Sequence, residues 1–178
     1  MSRDPDIETT HEGKLFSVQV LRYRDASGGE ITREVVRHPG AVLIVPVLNE
    51  DELILIRNYR IAPDETLWEF PAGKLEPGED PLDAARRELE EETGYRAGRM
   101  ESLGTFYTSP GFADERMHVF VADQLHEVGQ RLEPGEEIEV HHLERDDVLE
   151  MARDGRLRDG KTIAALFLWH HARRVAPT

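Results

Sequence analysis

The sequence predicts an α/β fold of the α+β kind, with a central mixed sheet, helices on both faces and a small N-terminal antiparallel hairpin. Three observations predict it. Apolar strand-length runs at 41–48 and 52–59 precede an amphipathic helix pattern at 82–93, and a strand and helix series follows to the end. A separate hairpin pattern occupies 13–37. The 178 residues suffice for one ordinary domain plus a short appendage, so the expected division is 1–38 for the hairpin and 39–178 for the main domain.

Taken in order, residues 15–21 alternate, with Phe16, Val18 and Val20 on one face and Ser17 and Gln19 on the other. Turn residues Asp25 to Gly29 connect this run to a second strand at 31–36. A hairpin alone is marginally stable, so it is expected to pack on the main domain or on another subunit. His38-Pro39-Gly40 breaks the chain before the two apolar strands, which are joined by the polar turn Asn49-Glu50-Asp51. Trp68-Glu69-Phe70 reads as a short strand before a loop from Pro71 to Pro81. In the helix at 82–93, Leu82, Ala85 and Leu89 form the apolar stripe, and Gly94 stands where a C-cap glycine belongs. Strands are expected at 97–107, 117–123 and 138–143, and helices at 145–154 and 160–174.

Composition narrows the function. Cysteine is absent, which removes disulfides and thiolate chemistry. No run approaches the roughly 20 apolar residues of a membrane span, and residues 1–12 lack the apolar core of a secretory signal. A cytoplasmic protein is expected. The formal charge of −14 argues against nucleic acid or anionic membrane as a partner. An acidic protein that handles phosphates needs placed arginines or a bound metal. The adjacent pairs His141-His142 and His170-His171 diverge on a strand or a helix, so they read as structural or surface residues.

The densest chemical signal lies at 73–94. On a helix, Glu88 and Glu92 share a face and Glu91 lies beside them. Carboxylates at that spacing repel, and hard divalent cations relieve the repulsion by taking their oxygens. An isolated acidic helix would more often be a solvated face supported by Arg86–Glu90 and Arg87–Glu91 pairs. The loop upstream changes that balance, because Pro71 and Pro77 stiffen it while Gly73 and Gly78 permit tight turns or close approach.

Gly73, Glu79, Arg87, Glu88, Leu89, Glu91, Glu92 and Gly94 fall at the spacings of the Nudix box, and the chain resembles that family; Tyr95, where an aliphatic residue is usual, is a soft departure. The resemblance implies an α/β/α sandwich and metal-dependent cleavage of a diphosphate. It implies Glu88, Glu91, Glu92 and the Ala72 carbonyl as ligands of Mg2+, with Mn2+ as an alternative. Glu91 is carried also as a catalytic candidate, and Gly73, Glu79, Arg87 and Gly94 as residues that hold the motif's geometry.

Ser109-Pro110-Gly111-Phe112, with Pro110 15 residues beyond Tyr95, is similar to the proline signature of ADP-ribose pyrophosphatases. So is Arg57-Asn58-Tyr59-Arg60 followed by Trp68 to Gly73. This resemblance implies substrate contacts from Arg57, Arg60, Glu69, Pro110 and Glu115. It also implies a general base on the loop Pro134-Gly135-Glu136-Glu137, with Glu136 as first choice and Glu137 as second. ADP-ribose is the expected substrate, and a nucleotide sugar such as GDP-mannose or a silent nucleotide-sensing domain are the alternatives. Proteins of this kind are commonly homodimers, so a second copy is the expected protein partner.

Overall fold

The computed structural model describes residues 5–175. Its elements in order are β1 (Asp6–Glu12), β2 (Ser17–Arg24), β3 (Glu30–Arg37), β4 (Ala41–Pro46), β5 (Glu52–Arg60), β6 (Glu65–Glu69), β7 (Ala72–Lys74), α1 (Pro81–Thr93), β8 (Tyr95–Tyr107), β9 (Arg116–Glu127), β10 (Ile138–Glu144), α2 (Arg145–Asp154) and α3 (Gly160–Val175). The central sheet is mixed, in the order β7-β4-β9-β8, with β4 parallel to β9 and the other pairs antiparallel. Beside it stands an antiparallel sheet ordered β10-β5-β6.

Strand β4 shows why both faces carry helices. All six of its residues are buried, and period-two alternation divides them between two cores. Val42 and Ile44 meet Ala84, Ala85 and Leu89 of α1 on one face. Ala41, Leu43 and Val45 meet the core that contains Val148 and Met151 of α2 and Ala165, Leu166 and Trp169 of α3. A strand buried on both sides needs a continuous apolar run, and Ala-Val-Leu-Ile-Val supplies one. Fully burying a side chain such as Leu43 or Leu89 contributes about 2 kcal/mol each. Among the described residues no helix is long and apolar enough to cross a membrane.

The N-terminal region holds one strand more than the hairpin pattern predicts. Asp6–Glu12 pairs antiparallel with β2, which in turn pairs with β3, giving a three-stranded sheet. Every residue of β1 is exposed, so it has no apolar alternation and escapes a reading based on hydrophobic period. The sheet is tied to the proline-containing loop of the main domain. Val36 N–H donates to the Phe112 carbonyl, Asp114 N–H donates to the Val36 carbonyl, and Asp114 also accepts from Arg37 and from His38 N–H. The short β7 is likewise unexpected, since it lies in a stretch whose Gly and Pro content predicts only loop.

Candidate active site

Helix α1 begins on a capped turn. Asp80 accepts from Leu82 N–H at 2.8 Å and Pro81 occupies the first helical position, where its missing donor costs nothing. It ends at Gly94, whose φ of 75° is left-handed and whose N–H reaches the Glu90 carbonyl. A Cβ at Gly94 would lie 2.7 Å from Gln130 N, so close packing as well as conformation requires glycine there. These two ends place Glu88, Glu91 and Glu92 on the turn that faces β7 and the loop 75–80.

Arg87 joins loop and helix. Its Nε and Nη2 grip the two oxygens of Glu79 at 3.0 Å each, and Nη2 also points at the Lys74 carbonyl. Its Nη1 lies between Glu88, at 2.7 Å, and Glu91, at 3.2 Å. The Glu79 carboxyl is held below its ordinary range chiefly by this guanidinium. Gly73 matters for a different reason. A Cβ there would fall 1.9 Å from a Glu88 carboxylate oxygen, so the carboxylate holds its place beside β7 only because residue 73 has no side chain.

Glu92 is the buried member, 4% exposed. Ala72 N–H donates to it at 2.8 Å, so in this structure it is the amide of Ala72 that meets the glutamate. Burial pushes its carboxyl up to about 8; the Ala72 bond opposes this, and the neighbouring charges of Glu88 and Glu136 add to it. Burial also raises Glu88, against the pull of Arg87 and with a further push from Glu91 and Glu136. Six glutamates, with Glu88, Glu91, Glu92 and Glu136 among them, therefore line one cleft, while the guanidiniums there, Arg87 and Arg60, are also engaged by Glu79 and Glu69. Among the described residues no ready-made cage of three ligands exists, and Arg87 stands between Glu88 and Glu91. The donor set is nonetheless all oxygen and short of positive charge, which suits a hard divalent cation.

The cleft that exposes these groups has a volume of about 280 Å³. The structure brings Arg60, Ala72, Gly73, Arg87, Glu88, Glu91, Glu92 and Glu136 together on its walls. Glu137 is not among the lining residues; Glu133 is, one turn earlier on the loop, and its N–H donates to Glu136 at 2.8 Å. The root of that loop is pinned to the end of α1. Gln130 donates to the Glu92 carbonyl and Arg131 N–H to the Glu91 carbonyl, which satisfies two otherwise open helix carbonyls.

Other expected site residues stand elsewhere. Arg57 points to the opposite face of β5 from Asn58 and Arg60, lying 5.5 Å over the Trp68 ring and 3.9 Å from Glu139. Glu69 is fully buried beneath the cleft, with both oxygens gripped by Arg60 at 2.8 and 2.7 Å and one also by Lys161. It is therefore an internal anchor with no oxygen left for ribose or adenine. Pro110 sits on an exposed loop, and Glu115 binds Thr108 at 2.6 Å in a separate depression. Of the helix pairs considered, Arg87–Glu91 forms, whereas Glu90 turns instead to Arg96 and Arg131. Sequence reasoning missed Leu15, Asn58, Lys74, Glu76 and Glu133 as cleft residues. Asn58 was within reach, since it lies two residues from Arg60 on the same strand face.

A sandwich that directs this loop–helix unit into one carboxylate-lined cleft defines a hydrolase of the phosphate-handling kind. Residues 37–166 match the NUDIX domain family, and the chain belongs to it. The chain is 41% identical over 161 residues to the methanol dehydrogenase activator of Bacillus methanolicus, covering 89% of this chain and 87% of that protein. It is 40% identical over 161 residues, with the same coverage, to the ADP-ribose pyrophosphatase of Bacillus subtilis strain 168. A crystal structure of an ADP compounds hydrolase shares the fold with a TM-score of 0.83 at 26% identity, over 96% of this chain and 94% of that one. The predicted fold class is the one observed.

Proposed function

We propose that this protein hydrolyses the diphosphate linkage of ADP-ribose, giving AMP and ribose 5-phosphate. The observation that carries this reading is the convergence of Glu88, Glu91, Glu92 and Glu136 with Arg60 on one cleft. Its resemblance to an ADP-ribose pyrophosphatase over most of both chains supports the choice of substrate. The cation is Mg2+, with Mn2+ able to substitute, held by Glu88, Glu91, Glu92 and the Ala72 carbonyl. When bound, it neutralises the diphosphate and makes an attacking water more acidic.

The chain's own groups do the rest. Glu136, on a loop anchored at its root, takes the proton of the water, with Glu137 the reserve. Arg60 binds a phosphate oxygen through its remaining donors. Arg87 and Glu79 keep loop and helix in register. The region 1–38 forms the contact of a homodimer, the main domain spans 39–178, and the protein works in the cytoplasm on a small nucleotide.

A panel of ADP-ribose, GDP-mannose and other nucleotide sugars, assayed with Mg2+ in water labelled with heavy oxygen, tests the proposal. ADP-ribose turnover with label in one phosphate product is expected. Binding without turnover of any member would leave a sensing domain as the answer, and a monomeric mass in solution would remove the dimer.

A further inference from the structure

Arg60 is presented to the cleft by a device that begins at the far side of the core. Its Nε and Nη2 are committed to Glu69, and Nη1 has no acceptor among the described residues. The Glu69 oxygen that accepts from Arg60 at 2.7 Å also accepts from Lys161 Nζ at 2.6 Å. Lys161 lies in the first turn of α3 and pairs with Asp159 at 2.9 Å. Asp159 accepts from Thr162 N–H at 3.0 Å, and Thr162 Oγ1 accepts from Phe70 N–H at 2.9 Å. Phe70 immediately precedes Pro71 and Ala72, so one helical turn braces both the cation of the cleft and the strand that meets Glu92.

Lys161 itself does not line the cleft. Its side chain, 18% exposed, opens on a different groove beside Phe106, Tyr107 and Thr108. What it does is share the charge of Glu69. Were Arg60 the sole partner of a fully buried carboxylate, much of its field would be spent on that carboxylate. Lys161, shared between Asp159 and Glu69, is a second donor to the same oxygen and so fixes the carboxylate whose fork orients Arg60 toward the cleft.

We propose that Lys161, acting through Glu69, is a positioning residue that sets the guanidinium of Arg60 for the diphosphate and so sets affinity for the substrate. The inference rests on the reading of Arg60 as a phosphate contact. It assigns to Lys161 a binding effect with little effect on the chemical step, which is the signature of an interaction made equally in ground and transition states.

The test is steady-state kinetics of the full chain on ADP-ribose with Mg2+, for Arg60→Gln, Lys161→Gln, the double variant and Lys161→Arg. Both glutamines can still donate to Glu69, and thermal melts establish folding. Lys161→Gln is expected to raise KM about tenfold while kcat changes less than about twofold. The double variant should be no worse in KM than Arg60→Gln alone, because the lysine acts only through the arginine. Lys161→Arg, which keeps the charge, should restore most of the affinity. If Lys161→Gln does not fold, the arginine variant decides, since a KM raised tenfold there overturns the proposal. An unchanged KM in Lys161→Gln, or effects of the two substitutions that multiply, overturns it while leaving the substrate reading intact. An unchanged KM in Arg60→Gln overturns the phosphate contact itself and the proposal with it.

Discussion

Replacing Glu92 with Gln should make the metal-free protein more stable and at the same time remove its turnover. The side chain is 4% exposed and faces Glu88 and Glu136, and its carboxyl stands at about 8 against an ordinary value of 4.5. The sign follows from a raised acid. Below pH 4.5 both folded and unfolded chains hold the proton, and no penalty exists. Between 4.5 and about 8 only the unfolded chain ionises, so stability falls as pH rises, and above about 8 the full penalty applies. At about 1.4 kcal/mol for each pH unit, it reaches on the order of 5 kcal/mol at pH 9 and about 2 kcal/mol at pH 6. Gln keeps an acceptor for Ala72 N–H but loses the charge-assisted part of that bond, which costs about 1 kcal/mol. Urea denaturation in EDTA should therefore show Glu92→Gln more stable than the parent by about 4 kcal/mol at pH 9, and by about 1 kcal/mol at pH 6. With Mg2+ present, kcat should fall on the order of 100-fold or more. Equal or lower stability at pH 9 in EDTA would refute the electrostatic account, and undiminished turnover would refute the metal-ligand role.

Gly73→Ala places a methyl 1.9 Å from the Glu88 oxygen and must break the 2.7 Å Arg87–Glu88 bond. It should cost about 1–3 kcal/mol in a thermal melt and weaken Mg2+ binding measured by calorimetry; unchanged binding would show that Glu88 is not a ligand. Glu136→Gln should lower kcat by about 100-fold or more, whereas Glu137→Gln should lower it less than about threefold, because only Glu136 lines the cleft. Although burial pushes the Glu69 carboxyl up, Arg60 and Lys161 outweigh it and hold it below 4.5. Its contribution is thus complete above pH 4.5 and lost as pH falls through the lower folded value, so melting temperature should drop on acidification more steeply in the parent than in Glu69→Gln. Parallel acid profiles would exclude the buried pairing as their cause.

How much was legible can be judged on particular elements. The helix at 82–93 was recovered to within a residue, since its apolar stripe and its C-cap Gly94 act through contacts within four residues along the chain. The closing helices at 145–154 and 160–174 followed from their period in the same way, whereas the mixed sheet was expected from the order of elements and pairs strands far apart along the chain. Strand β1 was missed because all its residues face solvent and carry no period. The acidic loop named from the sequence does reach the cleft through Glu136, yet Glu133 was overlooked, because which of its glutamates face inward depends on how Gln130 and Arg131 moor it to α1.

What the amino-acid sequence by itself determined was the presence of a carboxylate set on one helical face, since Glu88, Glu91 and Glu92 must cluster wherever 3.6 residues make a turn. It also determined that a glycine-bearing loop would lie next to them. Only the tertiary structure decided which charges those carboxylates meet. Glu69 looked like a substrate contact until Lys161, 92 residues away, was found on its oxygen. Strand alternation alone puts Arg57 and Arg60, three residues apart, on opposite faces of β5, but only packing decided that one face meets a tryptophan and the other the cleft. The physical reason is one of range. Helical spacing is local geometry, whereas the partner of a buried charge is settled by packing between segments that are remote along the chain.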